Sequence, residues 1–131
     1  MKLEYIADNT DNGKYPDAWP AKLMRLFDFD EQQTQQLIEL LTKTLLAQGA
    51  PVELADLAFI SALNCRLLLR LSATDKGIVA LSETNNFACD LTKRSYLTAV
   101  ELMKNVGDGY NWLTDASAEN IEFLYSPGGN W

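Results

Sequence analysis

The side chains able to do chemistry in this chain are carboxylates, lysines, arginines, tyrosines and two cysteines, because its 131 residues include no histidine. That absence removes Ser-His and Cys-His nucleophile pairs, imidazole bases and nearly every zinc site. Closely spaced acids occur in "FDFDE", where Asp28 and Asp30 form an Asp-x-Asp of the kind that can hold magnesium near phosphates. Such a pair faces one way only in extended backbone. Asp30 also stands where a helix needs a cap, and Asp28 and Glu31 suit the positive helix end, so capping is the favoured reading. The stretch "DNTDNG" at 8–13 has Asp8, Asn12 and Gly13 where a calcium loop wants them, but Thr10 is a poor ligand and the twelfth position is Trp19. It reads as a turn. No metal and no cofactor are expected.

Cys65 and Cys89 both fall on inward strand positions and read as unbridged core thiols. No G-x-x-x-x-G-K-[ST], G-x-G-x-x-G or G-x-S-x-G occurs, and no serine is followed by lysine three residues on. The basic pair Arg66 and Arg70, with Leu68 between them, lies on the face of its strand opposite the core, about 14 Å apart by strand rise. Such a pair could receive a carboxylate or phosphate. The plainer reading gives each a cross-strand acid, for which Glu83 and Glu122 are available.

The elements that must hold these groups follow from periodicity. "LEYIA" at 3–7 alternates as a short strand, 8–20 is turn-rich, and "AKLMRLF" spaces its apolar residues as a helical turn would. Over 31–48 the spacing predicts a helix: Asp30 and Gln33 make a capping box, Leu37, Leu41 and Leu45 a stripe, and Gly49 with Pro51 a stop. From 52 the period turns to two, and three meandering strands are expected at 64–71, 78–82 and 87–91. Thr92 caps a second helix over 93–106, and "YNWLT" and "NIEFLY" form a hairpin through "DASAE". The expected fold is α+β: one domain over 1–131, with five to six strands in one antiparallel sheet, two helices on one face and an irregular segment over 1–26. The "SPGG" step reads as a type II turn with Gly128 at positive φ, which would bring Trp131 back opposite Leu124 on the outer sheet face, where Leu68 and the Trp19 segment could be its neighbours.

In "FACDLTKRSY" and "LYSPGGNW" the chain resembles a group of small uncharacterised bacterial α+β proteins that pair a C-x-L-T strand-to-helix junction with S-P-x-G-x-W. The resemblance runs from about Phe27 onward and implies no activity.

Eleven basic residues against eighteen acidic ones give a net charge of −7. Nucleic acids and anionic membranes are therefore excluded as expected partners. No apolar run is long enough to span a bilayer, no leader is visible, and cytoplasmic residence is expected. The function expected is a non-catalytic interaction or regulatory module that engages a protein partner, or a second copy of itself, through the outer sheet face. Arg66, Leu68, Arg70 and Trp131 are its candidate contacts. The alternative is a small enzyme or ligand-binding protein with Asp28, Asp30 and Asp90 between aromatic walls of Trp19 and Trp112.

Overall fold

The computed structural model describes residues 1–114 and 119–131. Its strands are β1 (Lys2–Ile6), β2 (Lys22–Phe27), β3 (Val52–Glu53), β4 (Ser61–Ala62), β5 (Arg66–Leu71), β6 (Gly77–Ala80), β7 (Asn86–Leu91), β8 (Asn111–Trp112) and β9 (Ile121–Tyr125). Its α-helices are α1 (Glu31–Leu40) and α2 (Lys93–Lys104). The fold is mixed, as expected, but its strands form two sheets where one was expected. The five-stranded sheet runs β4-β1-β2-β9-β8 and the four-stranded sheet β3-β5-β7-β6. Neither is purely antiparallel, because β1–β4, β2–β9 and β5–β7 are parallel pairs.

Two of these departures have a common physical cause. Leu23, Met24 and Leu26 are all fully buried, so β2 is covered on both faces and shows no period-two alternation. That is why "KLMRLF" imitates a helical turn and why a second strand, beyond the short one expected, begins within 1–26. Strand β7 is the same case: Phe87 through Leu91 are all buried, which marks a central strand. It lies between β5 and β6, so the expected meander is replaced by a parallel β5–β7 pair with β6 at the edge. The pair β8–β9 is antiparallel as expected, while residues 115–118 of its "DASAE" connection lie outside the described residues.

The predicted capping box is present: Asp30 Oδ1 accepts the Gln33 N–H at 2.8 Å, and Gln33 Oε1 accepts the Asp30 N–H at 3.3 Å. Helix α1 continues as a π-helical segment over Leu41–Leu46, in which the Ala47 N–H reaches the Thr42 carbonyl five residues back at 3.0 Å. The wider turn allows Leu41, Leu45 and Leu46 all to be buried. Thr92 caps α2 through the Ser95 N–H. Asp75 reinforces that end, accepting the Thr92 N–H at 2.7 Å and the Ser95 hydroxyl at 2.6 Å, which lowers its pKa. From the same helix Tyr96 enters the β5–β7 ladder, where its hydroxyl accepts the Arg70 N–H at 3.1 Å and donates to the Cys89 carbonyl. One apolar core joins both sheets and both helices, with Leu3, Leu26, Leu37, Leu41, Leu67, Ile78, Val100 and Phe123 among its members. Among the described residues no helix is long and apolar enough to cross a membrane.

Both cysteines are free and buried. The expectation of unbridged thiols holds, and the strand register keeps the two apart. Cys89 pairs in register with Leu69, four residues past Cys65, which at strand rise is about 13 Å away.

Two predictions follow from this packing. Leu41→Ala should cost about 2–5 kcal/mol in urea unfolding, since it opens a cavity in the common core; a loss below roughly half a kcal/mol would contradict that burial. Burial pushes both thiols up to about 12 from an ordinary 9.0. Their contribution to stability is thus complete below about pH 9 and is lost as pH rises towards 12, because the unfolded chain sheds those protons first. Tyr125, raised to about 12 from 10.0 mainly by burial, acts in the same direction. Urea midpoints should therefore fall between pH 9 and 11, and a midpoint constant over that range would show that the thiols ionise freely in the folded state.

Candidate functional site

Strand β2 needs cover on the face turned away from the core, and the residues that supply it build the most distinctive surface of the molecule. Register aligns Glu4, Arg25, Leu124 and Trp112 in one row across β1, β2, β9 and β8, on the side opposite Leu26 and Phe123. Leu23 and Leu124 are fully buried on that side yet stand apart from the central core. Arg25 is the polar member of the row. Its guanidinium pairs with Glu4 at 2.7 Å, lies over the Phe27 ring at 4.0 Å and donates to the Gly129 carbonyl at 2.9 Å.

That last bond holds the C-terminal segment to the sheet. After β9 the chain runs beside β2, with the Ser126 N–H on the Leu26 carbonyl at 3.1 Å and the Asp28 N–H on the Pro127 carbonyl at 2.9 Å. The turn is closed by the Gly129 N–H on the Ser126 carbonyl at 3.0 Å, with the positive φ at Gly129 (+76°). The expected type II turn with Gly128 at positive φ is therefore corrected. A β-carbon at Gly129 would lie 2.9 Å from Arg25 Nη1, so this position needs glycine for both backbone and space.

Trp131 does fold back onto the domain, but its partners differ from the ladder position opposite Leu124. Its indole Nε1 donates to the Trp19 carbonyl at 3.0 Å, and its ring meets that of Trp112 edge-on at 6.4 Å between centroids. Trp112 is also met edge-on by Trp19 at 5.0 Å and by Tyr110 at 6.1 Å. All three tryptophans of the chain thus converge, with Trp112 at the centre. Trp19, Tyr110 and Trp131 remain 59%, 47% and 41% exposed, so the cluster is an aromatic patch and not a second closed core. Beside it, a hollow of about 160 Å³ lies between Tyr110 and Trp131, with Asp108 on its wall.

Arg66, Leu68 and Arg70 lie elsewhere, on the outer face of the four-stranded sheet, and their charges are satisfied. Arg66 pairs with Asp56 at 2.6 Å and Glu53 at 3.2 Å, while Arg70 makes a two-pronged pair with the buried Asp90 at 2.5 and 3.1 Å. The plainer reading of these arginines is right in kind, though the acids are not Glu83 and Glu122. Leu68 is half-buried between Glu53 and Ala88. The alternative acid set is dispersed. Asp28, at positive φ, pairs with Lys2 at 3.0 Å, which lowers its pKa; Asp30 is committed to its cap; Asp90 is on the other sheet. Only Asp30 of that set lines the hollow of about 310 Å³ between the start of α1 and the end of α2, alongside Glu31, Asp108 and Phe29. The two walls named with them, Trp19 and Trp112, do meet. Asp8 accepts the Thr10 and Asn12 N–H groups at 2.9 Å each, which confirms "DNTDNG" as a turn. Among the described residues no group of three or more acids and cysteines is arranged to hold a metal.

Tyr110, Asp108 and Arg25 are the contributors missed in the sequence. A signal existed for Tyr110, since the Tyr-x-Trp spacing of "YNW" puts both rings on one side of an extended segment. No protein-family model, no curated protein and no solved structure matches the chain.

Trp131→Ala should lower the melting temperature by several degrees, corresponding to about 1–2 kcal/mol of lost ring burial and hydrogen bonding. An unchanged melting temperature, with a mobile indole in the parent protein, would show that the ring is not seated.

Proposed function

We propose that this protein is a non-catalytic interaction module that binds a protein partner through the aromatic patch on the outer face of its five-stranded sheet. The observation that carries the reading is the convergence of Trp19, Trp112, Trp131 and Tyr110, three of them left largely exposed. Large aromatic rings supply much contact area for little lost side-chain freedom and are enriched at the energetic centres of protein interfaces. Their surroundings specify the partner's charge. Asp17, two residues from Trp19, and Asp108, beside Tyr110, have no hydrogen-bond or ion-pair partner among the described residues, and the chain as a whole carries −7. A partner presenting lysine or arginine is thereby favoured over a second copy of the same acidic chain. Of the contacts expected from the sequence, Trp131 belongs to this patch, while Arg66, Leu68 and Arg70 lie on the four-stranded sheet.

A second reading, a small-ligand pocket, is favoured by one observation, the hollow of about 310 Å³ where Asp30, Glu31 and Asp108 face Phe29. A ligand that raises the melting temperature of the parent but not of a Glu31→Gln variant would promote it.

Capture from native lysate should separate the readings when the parent is compared with Trp19→Ala and with Leu97→Ala, the latter a control at an exposed leucine on α2. A protein retained by the parent and by Leu97→Ala, and depleted about tenfold or more by Trp19→Ala, supports the module, a hot-spot loss of the usual size. Retention indifferent to Trp19 would remove the patch from consideration.

A further inference from the structure

The hollow beside the patch has a chemistry of its own. Tyr110 and Trp131 form its sides, both more than two-fifths exposed, and Ser126, Gly128 and Asn130 form its floor. The floor is fixed: Ser126 Oγ donates to the Asn130 carbonyl at 2.9 Å, and the Gly129 carbonyl is already held by Arg25. Asp108 stands on the wall with a carboxylate that has no partner among the described residues. The same carboxylate borders the neighbouring hollow, which adds Asp30 and Glu31. Lys104 is the one cation lining either space among the described residues, and it is held by Glu101 at 3.1 Å. Arg25, which reaches the Gly129 carbonyl, is balanced by Glu4 at 2.7 Å, so the unpaired charge at this aromatic-lined cleft is the negative one of Asp108.

Two rings and an unpaired carboxylate around about 160 Å³ suit a planar cation better than any anion or neutral apolar group. A guanidinium can stack on an indole or phenol face while its fork of N–H groups meets a carboxylate, whereas an ammonium is more strongly hydrated and cannot stack. We infer that the Tyr110–Trp131 hollow is a recognition pocket for a single arginine side chain of the protein partner, with Asp108 as the anionic contact. This rests on the reading of the aromatic patch as an interaction surface, and it assigns to that surface the residue type it selects.

The test uses the full chain, labelled with ¹⁵N and titrated with acetylated, amidated hexapeptides of arginine, of lysine and of citrulline, the last being the uncharged counterpart of arginine. Expected are saturable shifts of the Trp131 indole and Tyr110 amide signals with the arginine peptide, weaker ones with lysine and none with citrulline. Asp108→Asn, a change at the surface, should weaken the arginine peptide about fivefold while leaving the melting temperature unchanged. Equal shifts from citrulline, shifts confined to other acidic faces such as Glu39 and Glu101, or undiminished binding by Asp108→Asn would each overturn the pocket. Those failures are separable from failure of the module: if Trp19→Ala still loses the cellular partner, the patch stands without the arginine pocket. If the peptide binds as expected but capture ignores Trp19, the pocket stands and the module does not.

Discussion

The double-sided burial of β2 is the constraint on which this structure turns. A strand with Leu23 on one face and Met24 and Leu26 on the other cannot stand at the surface of a two-layer fold. The helices and the second sheet cover one face. The other must be covered by chain that belongs to no regular element, and the segment before β2 and the segment after β9 do this together. They meet where the Trp131 indole donates to the Trp19 carbonyl; the Arg25 guanidinium ties the later segment to β2 through the Gly129 carbonyl, and Asn9 closes the earlier one on itself through the carbonyls of Ala21 (2.7 Å) and Pro20 (3.1 Å). Such a layer shields leucines from water but is too thin to bury the rings that make it, so exposed tryptophans follow from the architecture.

The same geometry sets how several of the chain's acids are used. The acids are spent on structure: Glu4 holds Arg25, Asp90 holds Arg70, Asp75 ties down the start of α2, and Asp30 caps α1. Of these, Asp75 has its pKa lowered by the Ser95 hydroxyl and the Thr92 N–H, as suits an anchor. Asp108, whose carboxylate has no partner among the described residues, borders the aromatic patch.

Local signals in the sequence were legible where a single element decides the outcome. The capping box at Asp30 and Gln33, the leucine stripe of α1, the Thr92 cap and the inward position of Cys89 all depend on neighbours within a turn or two. Strand partners do not. β2 pairs with β9 across almost the whole chain, and β7 inserts between β5 and β6, and both arrangements leave the strands' own patterns unchanged. Strands covered on both faces lose the alternation that would announce them, so β2 was read as helical. The site was half legible for the same reason. Trp19 was paired with Trp112 as a pocket wall and its segment set beside Trp131, but the three were not joined in one cluster until the parallel β2–β9 pair brought both segments to one face.

The placement of the three tryptophans has a spectroscopic consequence. The common core holds Tyr96, Tyr125, Phe87 and Phe123 but no indole, so fluorescence excited selectively through tryptophan arises wholly from the patch. With ring centroids 5.0 and 6.4 Å from Trp112, the indoles of Trp19 and Trp131 exchange excitation and behave optically as one coupled chromophore. Fluorescence therefore reports the covering layer, and circular dichroism of the amide bands reports the helices and sheets. Any denaturant range in which the two fail to coincide measures the layer peeling away from β2 while the rest of the domain remains folded.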